Sequence, residues 1–127
     1  MAGRDSGWYR KTYEDISGEL TVLAATDDTT LVTVKNSKYT IFIQEIHFFV
    51  TTDAAQSMSF EDSAGTPFVL RDIPASPGDS SEWHFYMSDE GHPLTEGKDF
   101  KMMVSAAGLA GALKWVGYQK LTAVGAP

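Results

Sequence analysis

From Gly18 onward, apolar and polar positions alternate with a period of two, the spacing of strands that bury one face. Thr40 to Thr52 is the strongest such segment. Ile41, Ile43, Glu45, His47 and Phe49 fall on one side of it, and Phe42, Gln44, Ile46, Phe48 and Val50 on the other. The second set is the more apolar and is assigned to the core. Further strands are predicted over Glu19 to Ala25, Thr29 to Lys35, Gln56 to Asp62, Thr66 to Ile73, Ser81 to Met87, Asp99 to Ala106 and Ala112 to Ala123. Turn-prone runs separate them, among them Asn36-Ser37, Asp53-Ala54-Ala55, Ser63-Ala64-Gly65 and the loop from Pro74 to Asp79. Ser88 to Gly97 is polar and reads as a loop. Trp83 alternates in step with Phe85 and Met87, which places it in the core. Trp115 shares a face with Leu113 and Gly117, while Lys114, Val116 and Tyr118 share the other. Periodicity leaves open which of these two faces is buried.

No segment carries a helical period. About eight short strands in the span after residue 17 predict an all-β fold of two packed antiparallel sheets. The first choice is a jelly-roll-like β-sandwich. An immunoglobulin-like sandwich comes second, because its Cys-Trp-Cys signature is absent. Residues 1–17 show neither period and read as an extended N-terminal arm ahead of a sandwich domain spanning 18–127. A purely solvated tail rarely carries Trp8, Tyr9 and Tyr13. Either these aromatics fold back onto their own domain, or the arm docks on a neighbouring subunit. In the second case Trp8, Tyr9, Arg10 and Tyr13 form the interface.

The 127 residues fit one domain, and 43% hydrophobic with 21% charged residues is a globular balance. Cysteine is absent, which excludes disulfides, thiolate zinc sites and a cysteine nucleophile. A net charge of −7 without any basic stripe disfavours nucleic acid and anionic membranes as partners. Met1 to Asp15 lacks the apolar core of a signal peptide, and Thr40 to Thr51 is interrupted by Gln44, Glu45 and His47, so no membrane span is expected.

Candidate chemistry is sparse. His47 lies two residues from Glu45, and His84 two from Glu82, so two His-carboxylate pairs on facing strands could hold zinc. Any solvated strand face produces the same spacing. His92 falls in a loop. No Gly-x-Ser-x-Gly elbow, EF-hand loop, Walker motif or dinucleotide fingerprint occurs. No catalytic residue, cofactor site or metal site is therefore predicted, and no enzymatic activity is expected. The alternative is a carbohydrate- or ligand-binding module, with Trp115 or Tyr118 exposed to stack on a sugar ring.

The run from Pro93 to Phe100 leads into Met102-Met103-Val104-Ser105-Ala106-Ala107-Gly108 and then Gly111-Ala112-Leu113-Lys114-Trp115-Val116-Gly117-Tyr118. This order resembles the C-terminal half of small virion proteins of tailed bacteriophages: a "PLTEG"-like turn, an amphipathic strand, an "AAG" hairpin and a closing strand. Tyr39 to Asp53 and Ser57 to Leu70 resemble their preceding strand and hairpin. The resemblance spans roughly Leu31 to Leu121. It implies a capsid decoration, or cement, protein, and it equally allows a head-fibre base or tail accessory protein. It further implies a homotrimer that contacts the major capsid protein and bridges capsomers on the virion surface after assembly in the host cytoplasm. No chemistry is implied.

Overall fold

A computed structural model describes residues 13–20, 28–52, 54–75, 81–105 and 110–122. Within them run nine strands: β1 (Tyr13–Leu20), β2 (Asp28–Val32), β3 (Tyr39–Thr51), β4 (Gln56–Asp62), β5 (Pro67–Ile73), β6 (Ser81–Tyr86), β7 (His92–Pro93), β8 (Phe100–Val104) and β9 (Ala110–Leu121). One sheet has the order β1-β9-β3-β6, with the two-residue β7 beside β3; the other has the order β2-β8-β4-β5. All pairings are antiparallel. Apart from β7, every connection except the β4–β5 hairpin crosses from one sheet to the other, which is jelly-roll connectivity. Among the described residues no helix is long and apolar enough to cross a membrane.

The strand β4 has the bounds its alternation predicts, and β2, β3, β5, β6, β8 and β9 lie within a few residues of theirs. The first strand starts earlier than predicted. It begins at Tyr13, so residues 13–17, read above as arm, pair with β9, while residues 21–25 of the predicted Glu19 to Ala25 lie outside the described residues. Its signal is weak for a physical reason. Only Ile16 and Leu20 are apolar on its inner side, and Gly18 stands between them. The Trp115 indole fills that gap, and a Cβ on Gly18 would lie only 2.1 Å from its Cζ2. A large side chain on β9 thus substitutes for one missing on β1.

In β3 the assignment of faces needs correction. Ile41 and Ile43 are fully buried, and so are Ile46, Phe48 and Val50; Phe42, predicted inside, lies outside. Against β9, Ile43 pairs with Gly117 and Glu45 with Val116, so Gln44 is an extra residue. This β-bulge shifts the alternation by one. The odd positions face the core before it and the even positions after it. The bulge is held from the β6–β7 segment: Met87 N donates to the Gln44 carbonyl at 2.7 Å, and Gln44 Nε2 donates to the Asp89 carbonyl at 2.6 Å.

The core between the sheets is crossed by a row of rings. Trp83 stacks on Phe48 with centroids 5.3 Å apart, Phe48 meets Phe60 at 5.6 Å, Phe60 meets Phe100 at 6.0 Å, and Phe100 meets Trp115 edge-on at 6.1 Å. Aliphatic and sulfur side chains of both sheets fill the space around them, including Ile46, Met58, Ile73, Met102 and Leu113.

A buried carboxylate ties the loops at one end of the sandwich. Asp62 is 2% exposed. Its Oδ1 accepts from Ala64 N at 2.9 Å and Thr66 N at 3.3 Å, and its Oδ2 accepts from Thr95 N at 2.9 Å and Thr95 Oγ1 at 2.5 Å. The same turn reaches the other sheet, where Leu94 N donates to the Ile41 carbonyl at 2.9 Å and Gly97 N to the Tyr39 carbonyl at 2.8 Å. Gly97 has a φ of 74°, which explains a glycine there. Burial alone would raise the Asp62 pKa; the hydrogen bonds from Thr95, Thr66 and Ala64 outweigh it and hold the carboxyl below its ordinary 3.8. Its stabilising contribution is therefore fully present above that value and is lost as the pH falls through the lower folded value. Asp62→Asn is expected to lower stability in urea by about 2 kcal/mol at neutral pH. The gap to the wild type should shrink as the pH falls below 3.8. A gap that is absent at neutral pH, or that widens in acid, would contradict this role.

Candidate interaction surface

The outer face of the β1-β9-β3-β6 sheet gathers both His-carboxylate pairs and Tyr118. Register sets its side chains in transverse rows. Ala112, Phe49 and Glu82 form one row; Glu19, Lys114, His47 and His84 form the next. Ser17, Val116, Glu45 and Tyr86 follow, then Asp15, Tyr118 and Phe42. Neighbouring strands lie about 4.8 Å apart, so this is a broad, shallow surface and not a cleft.

The two histidines face each other across β3 and β6, with ring centroids 5.1 Å apart. Each takes its carboxylate from the opposite strand. His47 Nε2 lies 3.0 Å from Glu82 Oε2, and His84 Nε2 contacts Glu45 Oε1. The sequence pairing of His47 with Glu45 and His84 with Glu82 is thus exchanged. Facing strands are also not the geometry: β3 and β6 are neighbours in one sheet. Among the described residues no group of three or more His, Cys, Asp or Glu could hold a metal ion. Both pairs are solvent-exposed, where such contacts contribute little.

Apolar side chains are interspersed with these charges. Phe49 is 43%, Val116 44% and Tyr86 62% exposed. The Tyr86 hydroxyl donates to Asp89, a bond that lifts the phenol above its ordinary 10.0, assisted by the Asp89 and Glu45 charges. Trp115 and Tyr118, the residues on which a sugar-stacking reading rests, are both buried. Trp115 points into the core. Tyr118 belongs to the outer face but stacks on Phe42 at 4.9 Å, and its hydroxyl donates to the Glu90 carbonyl at 2.5 Å, so the segment before β7 covers it. Neither offers a free ring.

Of the predicted interface residues, Trp8, Tyr9 and Arg10 lie outside the described residues, and Tyr13 opens β1 opposite Lys120. Phe49, Tyr86 and Val116 were not singled out as surface residues. Their signal was present in the alternation, but strand pairing is needed to bring them into adjacent rows.

No family model matches this chain, and no curated protein matches it. Among solved structures it is similar to the Tobacco streak virus coat protein, at 12% identity, over 88% of this chain and 87% of that chain, with a TM-score of 0.48. It is similar to the carbohydrate binding module CBM6cm-2 from Cellvibrio mixtus lichenase 5A, at 15% identity, over 86% of this chain and 87% of that one, with a TM-score of 0.42. It is also similar to latent PorU from Porphyromonas gingivalis, at 10% identity and a TM-score of 0.52, over 87% of this chain and 13% of that one. These likenesses concern the fold.

Replacing His47 or Glu82 by alanine is expected to change stability in urea by less than about 1 kcal/mol. A loss of several kcal/mol would show that the pairs hold the β6 edge and are not a solvated surface feature.

Proposed function

We propose that this chain is a structural virion protein of a tailed phage, one that decorates the capsid surface and stabilises it by bridging capsomers. It acts as a homotrimer, contacts the major capsid protein non-covalently and catalyses no reaction. The observation that carries this reading is the broad outer sheet face, where Phe49, Tyr86 and Val116 stand exposed among paired charges on a jelly-roll frame. Such a face suits a protein partner: exposed aromatics supply area at low entropic cost, and a rim of charge sets register. The face is broad, shallow and solvated, which supports a binding role towards a protein partner. The resemblance of residues 31–121 to small phage virion proteins supports the same role. A net charge of −7 keeps such a protein off the packaged genome.

The test is co-sedimentation with empty expanded heads assembled from a tailed-phage major capsid protein. Saturable binding at a fixed number of copies per head is expected, with heads that withstand higher temperature. Phe49→Glu should weaken binding without unfolding the domain. Heads that neither bind the protein nor gain stability would overturn the reading. A hit on an oligosaccharide array would point instead to a carbohydrate-binding module.

A further inference from the structure

We infer that the outer face of the β1-β9-β3-β6 sheet docks residues 1–12 of a second copy of this chain. The inference makes a second copy of the chain the protein partner on this face, joining the subunits of the proposed homotrimer; arm exchange would serve a self-assembling protein in any role. Charge is the first argument. Residues 1–12 hold Arg4, Arg10 and Lys11 against Asp5 alone, a net +2, which leaves −9 on the rest of a chain whose total is −7. The docking face carries Asp15, Glu19, Glu45 and Glu82 in its rows against Lys114 and against Lys120, whose ammonium lies over the Phe42 ring. Opposite signs on segment and face steer and register an encounter.

Apolar character is the second argument. The segment brings Trp8 and Tyr9, and the face presents Phe49, Tyr86 and Val116. The outer face of the other sheet carries Ser57, Ser59, Glu61, Asp72 and Lys101, with Leu70 as its exposed large apolar residue and no exposed aromatic among the described residues. Only the first face combines aromatics with excess acid.

Reach makes a contact between Trp8 and Phe49 intermolecular. The chain enters β1 at Tyr13, opposite Lys120, whereas Phe49 lies opposite Ala112 at the far end of β9. That separation is roughly 28 Å, from about 3.3 Å per residue along the strand and about 4.8 Å per strand across. To approach Phe49 in its own subunit the chain must reverse ahead of Tyr13. A reverse turn occupies four residues, which leaves Trp8 beside the start of β1. A second copy has no such restriction. Segment and face are different surfaces, so the contact is heterologous and can close into a ring such as a trimer.

Light scattering on the full chain tests this with two charge-reversed variants, one carrying Arg10→Glu with Lys11→Glu, the other Glu45→Lys with Glu82→Lys. Urea unfolding first establishes that both variants are folded; a variant that is not is replaced by its alanine counterpart. The wild type is expected to associate above its 13.9 kDa monomer mass and to dissociate as salt is raised. Each variant alone should associate about tenfold more weakly or worse. An equimolar mixture should regain association, because the acidic segment of one then meets the basic face of the other. A wild type that stays monomeric, variants that associate normally, or a mixture that remains monomeric would each overturn the inference. Capsid binding by a protein that fails this test would leave the decorating role standing, without an arm-mediated trimer, and this inference refuted.

Discussion

The β-bulge at Gln44 is the constraint on which the rest of the structure depends. The strand β3 is 13 residues long and pairs with β9, β6 and β7, so it is the spine of its sheet. Its apolar residues are out of phase with each other: Ile41 and Ile43 stand at odd positions, Ile46, Phe48 and Val50 at even ones. A regular strand would bury one group and expose the other. One inserted residue buries both. Its backbone carbonyl, unpaired in the ladder, is satisfied by Met87 N, and its side chain is fastened to the Asp89 carbonyl. The same shift sets Phe42 beside Tyr118 under the segment before β7, and turns Glu45, His47 and Phe49 outward beside β6. Core and surface patch thus follow from a single irregularity.

The second organising element is polar. Asp62 accepts four hydrogen bonds at the end of β4 and draws the Leu94–Gly97 turn against both sheets. Charge-assisted bonds to a buried carboxylate fix loop geometry more tightly than apolar packing, which tolerates sliding. The bulge and the clamp divide the work. The bulge phases the strands, and the clamp closes the sandwich over the ring stack of Trp83, Phe48, Phe60, Phe100 and Trp115.

Much of this was legible in the sequence. Gln56 to Asp62 reads as a strand with its observed bounds, because Met58 and Phe60 alternate cleanly with serine. Trp83 and Phe85 pack against the core as their alternation requires. What escaped was whatever needs a partner strand to be seen. The strand β1 hides because Trp115 supplies the bulk that Gly18 lacks. The phase slip in β3 hides because both of its faces are rich in apolar residues, so counting them favours one register throughout. Tyr118 sits on a polar-looking face yet is covered by residues nearly thirty positions earlier. The His-Glu pairs carry the right residues with the wrong partners, since local spacing cannot show that β3 and β6 are adjacent.

If the bulge is the constraint, the interaction face is a by-product of core packing, and exposed Phe49 is the outward counterpart of buried Phe48. The most direct measurement is equilibrium urea unfolding of a chain lacking Gln44, beside Gln44→Ala as a control that keeps the extra residue. Deletion must expose either Ile41 and Ile43 or the Ile46–Phe48–Val50 group, at about 1.5–3 kcal/mol per side chain. Loss of roughly 3–6 kcal/mol or of cooperative folding is therefore expected on deletion, against about 1 kcal/mol for the alanine variant. A deletion variant as stable as the wild type would contradict the account.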